Sequence, residues 1–197
     1  MLPWKWPGKV DLADMTQGER SAELDKLRQT TRDVVAMTTL PAIWGALPPE
    51  AVIQSLTIVL VTTLALDFAY IRLSGSGEIG ANEAIRTKRQ GADASLLEAA
   101  RAALENDAAR PGAQASIALP GGEHQLQIAF FRFGIGSDIG TIVVGSTRPD
   151  FPTENERLLI GVGANQATVV LQRHLAERAL KRSEARFLDL ADAAPAM

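Results

Sequence analysis

Apolar residues in this chain recur at more than one period, and each change of period marks a change of element. Leu24, Leu27, Thr31, Val34 and Thr38 stand three and four residues apart. That spacing builds one face of a helix, with heptad character, starting near Glu19. Pro41 predicts its end or a kink, because proline has no N–H to give and clashes with the turn before it. Pro48-Pro49 marks a second break. Pro49 then suits the first turn of a new helix, with Glu50 at its positive end, and that helix is expected to reach about Ala65. Before all of this, residues 1–18 are rich in proline, glycine and polar side chains and read as an irregular arm carrying Trp4 and Trp6.

From Asp67 the period falls to two. Ala69, Ile71 and Leu73 alternate with Phe68, Tyr70 and Arg72, which predicts a half-buried strand, and Ser74-Gly75-Ser76-Gly77 supplies a turn. A short strand is expected at 78–81. Asp93 caps a helix over 94–106 whose Leu96, Leu97, Ala100 and Leu104 share a face, and Arg110-Pro111-Gly112 closes it. Three further strands follow at 115–119, 125–133 and 141–146, separated by Pro120-Gly121-Gly122 and by a loop over 134–140. Thr153 then faces Glu156 three residues on, the capping-box spacing that opens a helix. This order of elements predicts an α+β fold, an antiparallel sheet of five or six strands flanked by helices.

The last helix has no breaker for more than thirty residues. Leu159, Val162, Gln166, Val169, Arg173, Ala176, Leu180, Ser183, Phe187 and Leu190 are spaced alternately three and four apart, four heptads in one register. Up to Leu171 other apolar residues, Ile160, Ala164, Ala167 and Val170, surround this seam. After Gln172 the flanks are Arg178, Lys181, Arg182, Glu184 and Arg186. A narrow apolar seam on a charged helix suits a parallel partner helix, so the seam predicts a homodimeric coiled coil. Gln166 and Arg173 weaken it and set its register. The chain thus divides into an arm (1–18), an N-terminal helical segment (19–46), a central domain (47–171), a linker helix (172–190) and a final stretch (191–197).

Composition removes several chemistries. The chain has 197 residues and no cysteine, which excludes disulfides, thiolate metal sites and a cysteine nucleophile. A net charge of −3 gives no field that would attract nucleic acid. Residues 51–66 are uncharged, but that run is short of a membrane span and carries Gln54, Ser55, Thr57, Thr62 and Thr63, so it reads as a buried helix. No nucleotide-binding loop and no nucleophile elbow occur. His124 and His174 are isolated from other ligand types, so no metal or haem site is predicted.

The segment Gly140-Thr141-Ile142-Val143-Val144-Gly145-Ser146, then Phe151-Pro152-Thr153-Glu154-Asn155-Glu156-Arg157-Leu158-Leu159 and Ala164-Asn165-Gln166-Ala167, resembles the closing strand and last helix of a GAF domain. The passage Leu66-Asp67-Phe68-Ala69-Tyr70-Ile71-Arg72-Leu73 resembles the opening of the same fold. Together they cover about 33–171. Ser183-Glu184-Ala185-Arg186-Phe187 through Ala193-Ala194-Pro195 resembles the start of a PAS domain. The combination implies a cytoplasmic, dimeric sensory module of a bacterial sensor histidine kinase, or alternatively of a diguanylate cyclase, with no catalytic site in this stretch. A ligand-free dimerisation scaffold is the other reading.

The resemblance also implies where a small ligand would sit: between the sheet and its cover over 79–104, with Tyr70, Arg72, Arg86, Phe130 and Arg132 as lining residues. Arg132 is in phase with Leu126, Ile128 and Phe130 on an otherwise apolar face, where a guanidinium can clamp a carboxylate or phosphate or reach out to solvent. Cyclic-nucleotide-binding GAF domains have an Asn-Lys pair followed by Phe-x-x-x-Asp-Glu. Here Phe151 and Glu156 fit, Asn155 stands in place of the aspartate and the Asn-Lys pair is missing, so Phe151 and Glu156 read as a staple and cap. A covalent bilin and the sulfoxide-reductase chemistry of the fold both need cysteine, and no cofactor is predicted.

Overall fold

The computed structural model describes residues 16–74, 83–88, 93–107, 114–118, 125–135 and 139–192. Its elements are α1 (Gln17–Thr38), α2 (Leu40–Trp44), α3 (Pro49–Thr63), β1 (Phe68–Leu73), β2 (Glu83–Thr87), α4 (Asp93–Asp107), β3 (Gln114–Ala118), β4 (Gln125–Phe133), β5 (Gly140–Ser146) and α5 (Glu154–Asp192). The strands form one antiparallel sheet in the order β2-β1-β5-β4-β3. The predicted α+β architecture is therefore what forms, with five strands.

The proline signals act as expected. Pro41 opens the short α2 after Thr39 interrupts α1, and Pro49 sits in the first turn of α3 behind an extended Pro48. Helix α3 ends where Ala65 takes a left-handed φ of 50°. There the Leu66 N–H reaches back to the Val61 carbonyl at 3.1 Å, a closing bond that satisfies an orphan carbonyl.

Helices cover both faces of the sheet. On one side Met37, Leu40 and Trp44 join Val52, Ile53, Leu56 and Leu60 of α3 and Leu159, Ile160, Ala164, Ala167 and Leu171 of α5 over Ala69, Ile71, Ile142 and Val144. On the other, α4 lays Leu96, Ala100 and Leu104 over Phe68, Tyr70, Leu126, Ile128, Phe130 and Val143. This corrects the half-buried reading of β1. The strand lies inside the sheet with both faces covered, and only Arg72 of its six residues is not fully buried.

Edge strand β2 was not anticipated. The strand expected at 78–81 lies outside the described residues, and pairing instead begins at Glu83. Its sequence, Glu-Ala-Ile-Arg-Thr, buries only Ala84, so it carries too few apolar residues to show a period. Burial rises toward the C-terminal end of α1 and falls along α5 after Leu171, as expected for helices that meet the core at opposite ends. Leu24 and Leu27 of the N-terminal seam are accordingly exposed, and from that series only Val34 packs on the core.

A buried polar joint ties the sheet to α5. Glu156 Oε2 accepts from the Thr153 N–H (2.8 Å) and hydroxyl (2.9 Å), while the Glu156 N–H donates to Thr153 Oγ1 at 3.3 Å, completing the capping box. The other oxygen, Oε1, is paired with the Arg148 guanidinium, which lies 6.0 Å from the centroid of the buried Phe151 ring. Phe151 is thus a core residue beside the cap. One step earlier, Asp67 at the foot of β1 accepts from the Thr147 N–H (2.7 Å) and hydroxyl (3.0 Å).

Candidate functional site

Strand register assembles the α4-facing side of the sheet in rows. Ile128, Gly145, Phe68 and Thr87 form one row, and Phe130, Val143, Tyr70 and Ile85 the next. Both are largely apolar. The third row, toward the open end of β1, is Arg132, Thr141, Arg72 and Glu83. Side chains two apart on a strand share a face, so every member of this row projects to the same side as Tyr70 and Phe130. Four of the five expected lining residues therefore share this face: Tyr70, Arg72, Phe130 and Arg132.

Arg86 does not join them. Its strand neighbours Ile85 and Ala84 pack with the α4-side and α3-side cores respectively, so the even-numbered Arg86 belongs to the α3 side, where it is exposed. Two residues that sequence reasoning missed take its place, Glu83 and Arg101. Arg101 of α4 donates to Glu83 Oε2 from Nε at 3.0 Å and from Nη2 at 2.6 Å, and to Glu98 from Nη1 at 2.8 Å. Glu83 holds the Arg101 guanidinium above its ordinary range. The signal for this pair was absent from the sequence, since residues 83 and 101 are joined only by docking α4 against β2.

Tyr70 is the buried end of the group. Its side chain is fully buried, and among the described residues its hydroxyl has no hydrogen-bond partner. Burial pushes its pKa up to about 12, helped by the negative charge of Glu83 and opposed by Arg72. The hydroxyl lies close enough to Glu83 and Arg101 for both to act on its proton, but neither completes a hydrogen bond of normal geometry with it. Among the described residues neither Arg72 nor Arg132 has a carboxylate partner, and Glu83 is paired with Arg101.

The exit helix divides its apolar residues between two faces. Leu159 is sealed in the core at 1% exposed, which corrects its place in the dimer seam. Val162 packs at the edge of the same core. The outward member at this level is Leu158, and the outward line runs on through Val169, Ala176, Leu180 and Phe187. Val169, Leu180 and Phe187 are 61%, 60% and 72% exposed. Gln166 is half-buried and Ser183 exposed. Arg173 is exposed and bonded to Glu177 at 2.7 Å, which draws the Glu177 carboxyl below its usual range. The side chain of Leu190 lies outside the described residues, as do Trp4, Trp6, His124 and the start of the 191–197 stretch beyond Asp192. His174 is half-buried on α5, its Nε2 enclosed without a partner. Among the described residues no group of three metal-ligand side chains gathers, and no helix is long and apolar enough to cross a membrane.

The fold that carries this face is that of a GAF domain. The chain is similar to the GAF domain of a putative sensor histidine kinase from Pseudomonas syringae pv. tomato, with a TM-score of 0.58 and 15% identity, over 82% of this chain and 99% of that one. The GAF domain of an Acinetobacter phosphoenolpyruvate-protein phosphotransferase gives a TM-score of 0.44 and 13% identity, over 81% of this chain and 96% of that one. No family model matches the chain, and no curated protein matches it.

Proposed function

We propose that the chain is a sensory or regulatory GAF module of a signal-transduction protein of the sensor histidine kinase type. It has no catalytic role of its own. It passes a conformational signal along α5, paired with the α5 of a second copy, into a following PAS domain in a cytoplasmic protein. The observation that carries this reading is the outward apolar line of α5, Leu158 to Phe187, about 43 Å long at the helical rise. Its first half belongs to a helix that also walls the domain's core. A change in the sheet is therefore felt by the same rigid rod whose far end would pair, and paired rods with polar seam positions such as Gln166 and Arg173 are only marginally stable, as a two-state switch requires.

Light scattering of the purified chain tests the pairing. Wild type is expected at the dimer mass, with Leu180→Asp and Phe187→Asp shifted toward monomer while circular dichroism stays unchanged. Leu159→Asp, by contrast, is expected to unfold the domain. The same mass for wild type and both outward variants would sink the lever. A ligand-free dimerisation scaffold is favoured by one observation, the close cover of Leu96, Ala100 and Leu104 over Tyr70 and Phe130. Native mass spectrometry separates the two, since a co-purifying small molecule excludes the scaffold.

A further inference from the structure

We infer that the Arg132–Thr141–Arg72 row, with the Tyr70 hydroxyl behind it, is a binding site for a small dianion of the phosphate-monoester type. This rests on the sensory reading and gives its ligand a chemical class. Three observations on the molecule converge. The row places two guanidinium groups on β4 and β1, either side of Thr141 on β5. Their Cα atoms are two strand spacings apart, about 10 Å, a gap that two long arginine side chains close around one tetrahedral oxyanion. The hydroxyl of Thr141, half-buried between them, adds a neutral donor.

The second observation is charge. The neighbouring acid, Glu83, is already engaged by another cation: Arg101 gives its Oε2 two donors and gives Glu98 a third. Among the described residues neither Arg72 nor Arg132 is in an ion pair, so two guanidinium groups stand in the row without a carboxylate of their own. Arginine presents its donors in a planar fork that matches phosphate geometry, and such charge-assisted bonds are the strong ones. Third is Tyr70. A fully buried hydroxyl without a partner is costly, and this one stands next to Arg72 on the same face of β1. An anion seated in the row offers it an acceptor in place of the incomplete contact with Glu83.

The test uses the full 197-residue chain and phenyl phosphate as probe, with phenylacetate as the monoanion and benzyl alcohol as the neutral control. Binding is followed by isothermal titration calorimetry and by the shift in thermal midpoint. Phenyl phosphate is expected to bind, to weaken as salt is raised, and to lose about tenfold or more in affinity in Arg132→Gln, with Arg132→Lys in between. Arg132 is exposed, so its variants keep the fold. Tyr70→Phe is expected to cost about threefold or more. Equal binding by Arg132→Gln and wild type, equal binding of phenylacetate or benzyl alcohol, or no binding of phenyl phosphate would each overturn the assignment. A neutral or cationic molecule found on the purified protein by native mass spectrometry would overturn the dianion while leaving the sensory reading in place. A failure of Leu180→Asp to change the mass strikes the lever and leaves binding at Arg132 untouched.

Discussion

Removing one oxygen atom, in Tyr70→Phe, is expected to leave the protein as stable as before or to raise its stability by about 1 kcal/mol. The usual loss of a buried tyrosine hydroxyl is destabilising because it breaks a hydrogen bond. Here the Tyr70 hydroxyl makes none and the side chain is fully buried, so the folded state carries an unmet desolvation cost of about 1–3 kcal/mol that phenylalanine does not have. The ring itself stays packed against Phe130 and Val143.

The same burial makes a second readout. The unfolded chain releases the phenolic proton near the ordinary value of about 10, whereas the folded protein holds it to about 12. Between those values the unfolded state binds fewer protons than the native state, so wild-type stability falls as pH rises, having been fully present below about pH 10. The ceiling on that loss is about 2–3 kcal/mol, reduced because Glu83 and Arg101 nearby remain partly solvated. Since Tyr70 is the chain's one tyrosine, ultraviolet absorbance of phenolate formation reports this group alone. The assay pairs that titration, in native buffer and in guanidinium chloride, with urea unfolding curves for both proteins at pH 8 and above 10. A native titration at the unfolded value, or a Tyr70→Phe variant less stable by more than about 1 kcal/mol, would show that the hydroxyl is satisfied in the fold and refute the reasoning.

Glu156→Ala removes both bonds to Thr153 and strands the Arg148 pair. It should cost about 2–3 kcal/mol in urea unfolding, with Glu156→Gln costing less because its amide oxygen still accepts at the cap. Equal costs for the two variants would mean that the ion pair, not the cap, dominates. Gly145→Ala drives a methyl group into Phe68, 2.7 Å from Cδ1, and to 3.0 Å from Leu126 Cδ2. Overpacking of about 1–3 kcal/mol should lower the thermal midpoint by several degrees. An unchanged midpoint would mean that the Phe68 ring moves freely in a core where it is fully buried.

Local signals in the chain were enough to place most elements, because each rests on neighbours in sequence. Prolines set the breaks at Pro41 and Pro49, and the Thr153–Glu156 spacing made the cap of α5. The alternation of Leu126, Ile128 and Phe130 gave β4 its bounds, Gln125–Phe133. The same alternation put Arg132 on the α4 face. What the chain could not show is anything settled by register or docking. Leu158 and Leu159 are adjacent and equally apolar, and only the direction in which the sheet takes up α5 sends Leu159 inward and leaves Leu158 outside. Arg86 and Arg72 look alike as strand arginines, yet pairing across β1 and β2 puts them on opposite faces. Glu83 and Arg101 meet because α4 folds back over β2, and that contact engages the acid that stands across from Arg72. Periodicity depends on one chain segment at a time, so it is legible in order. Charge balance and burial at the candidate site depend on four strands and a helix at once, and only their assembly decides them.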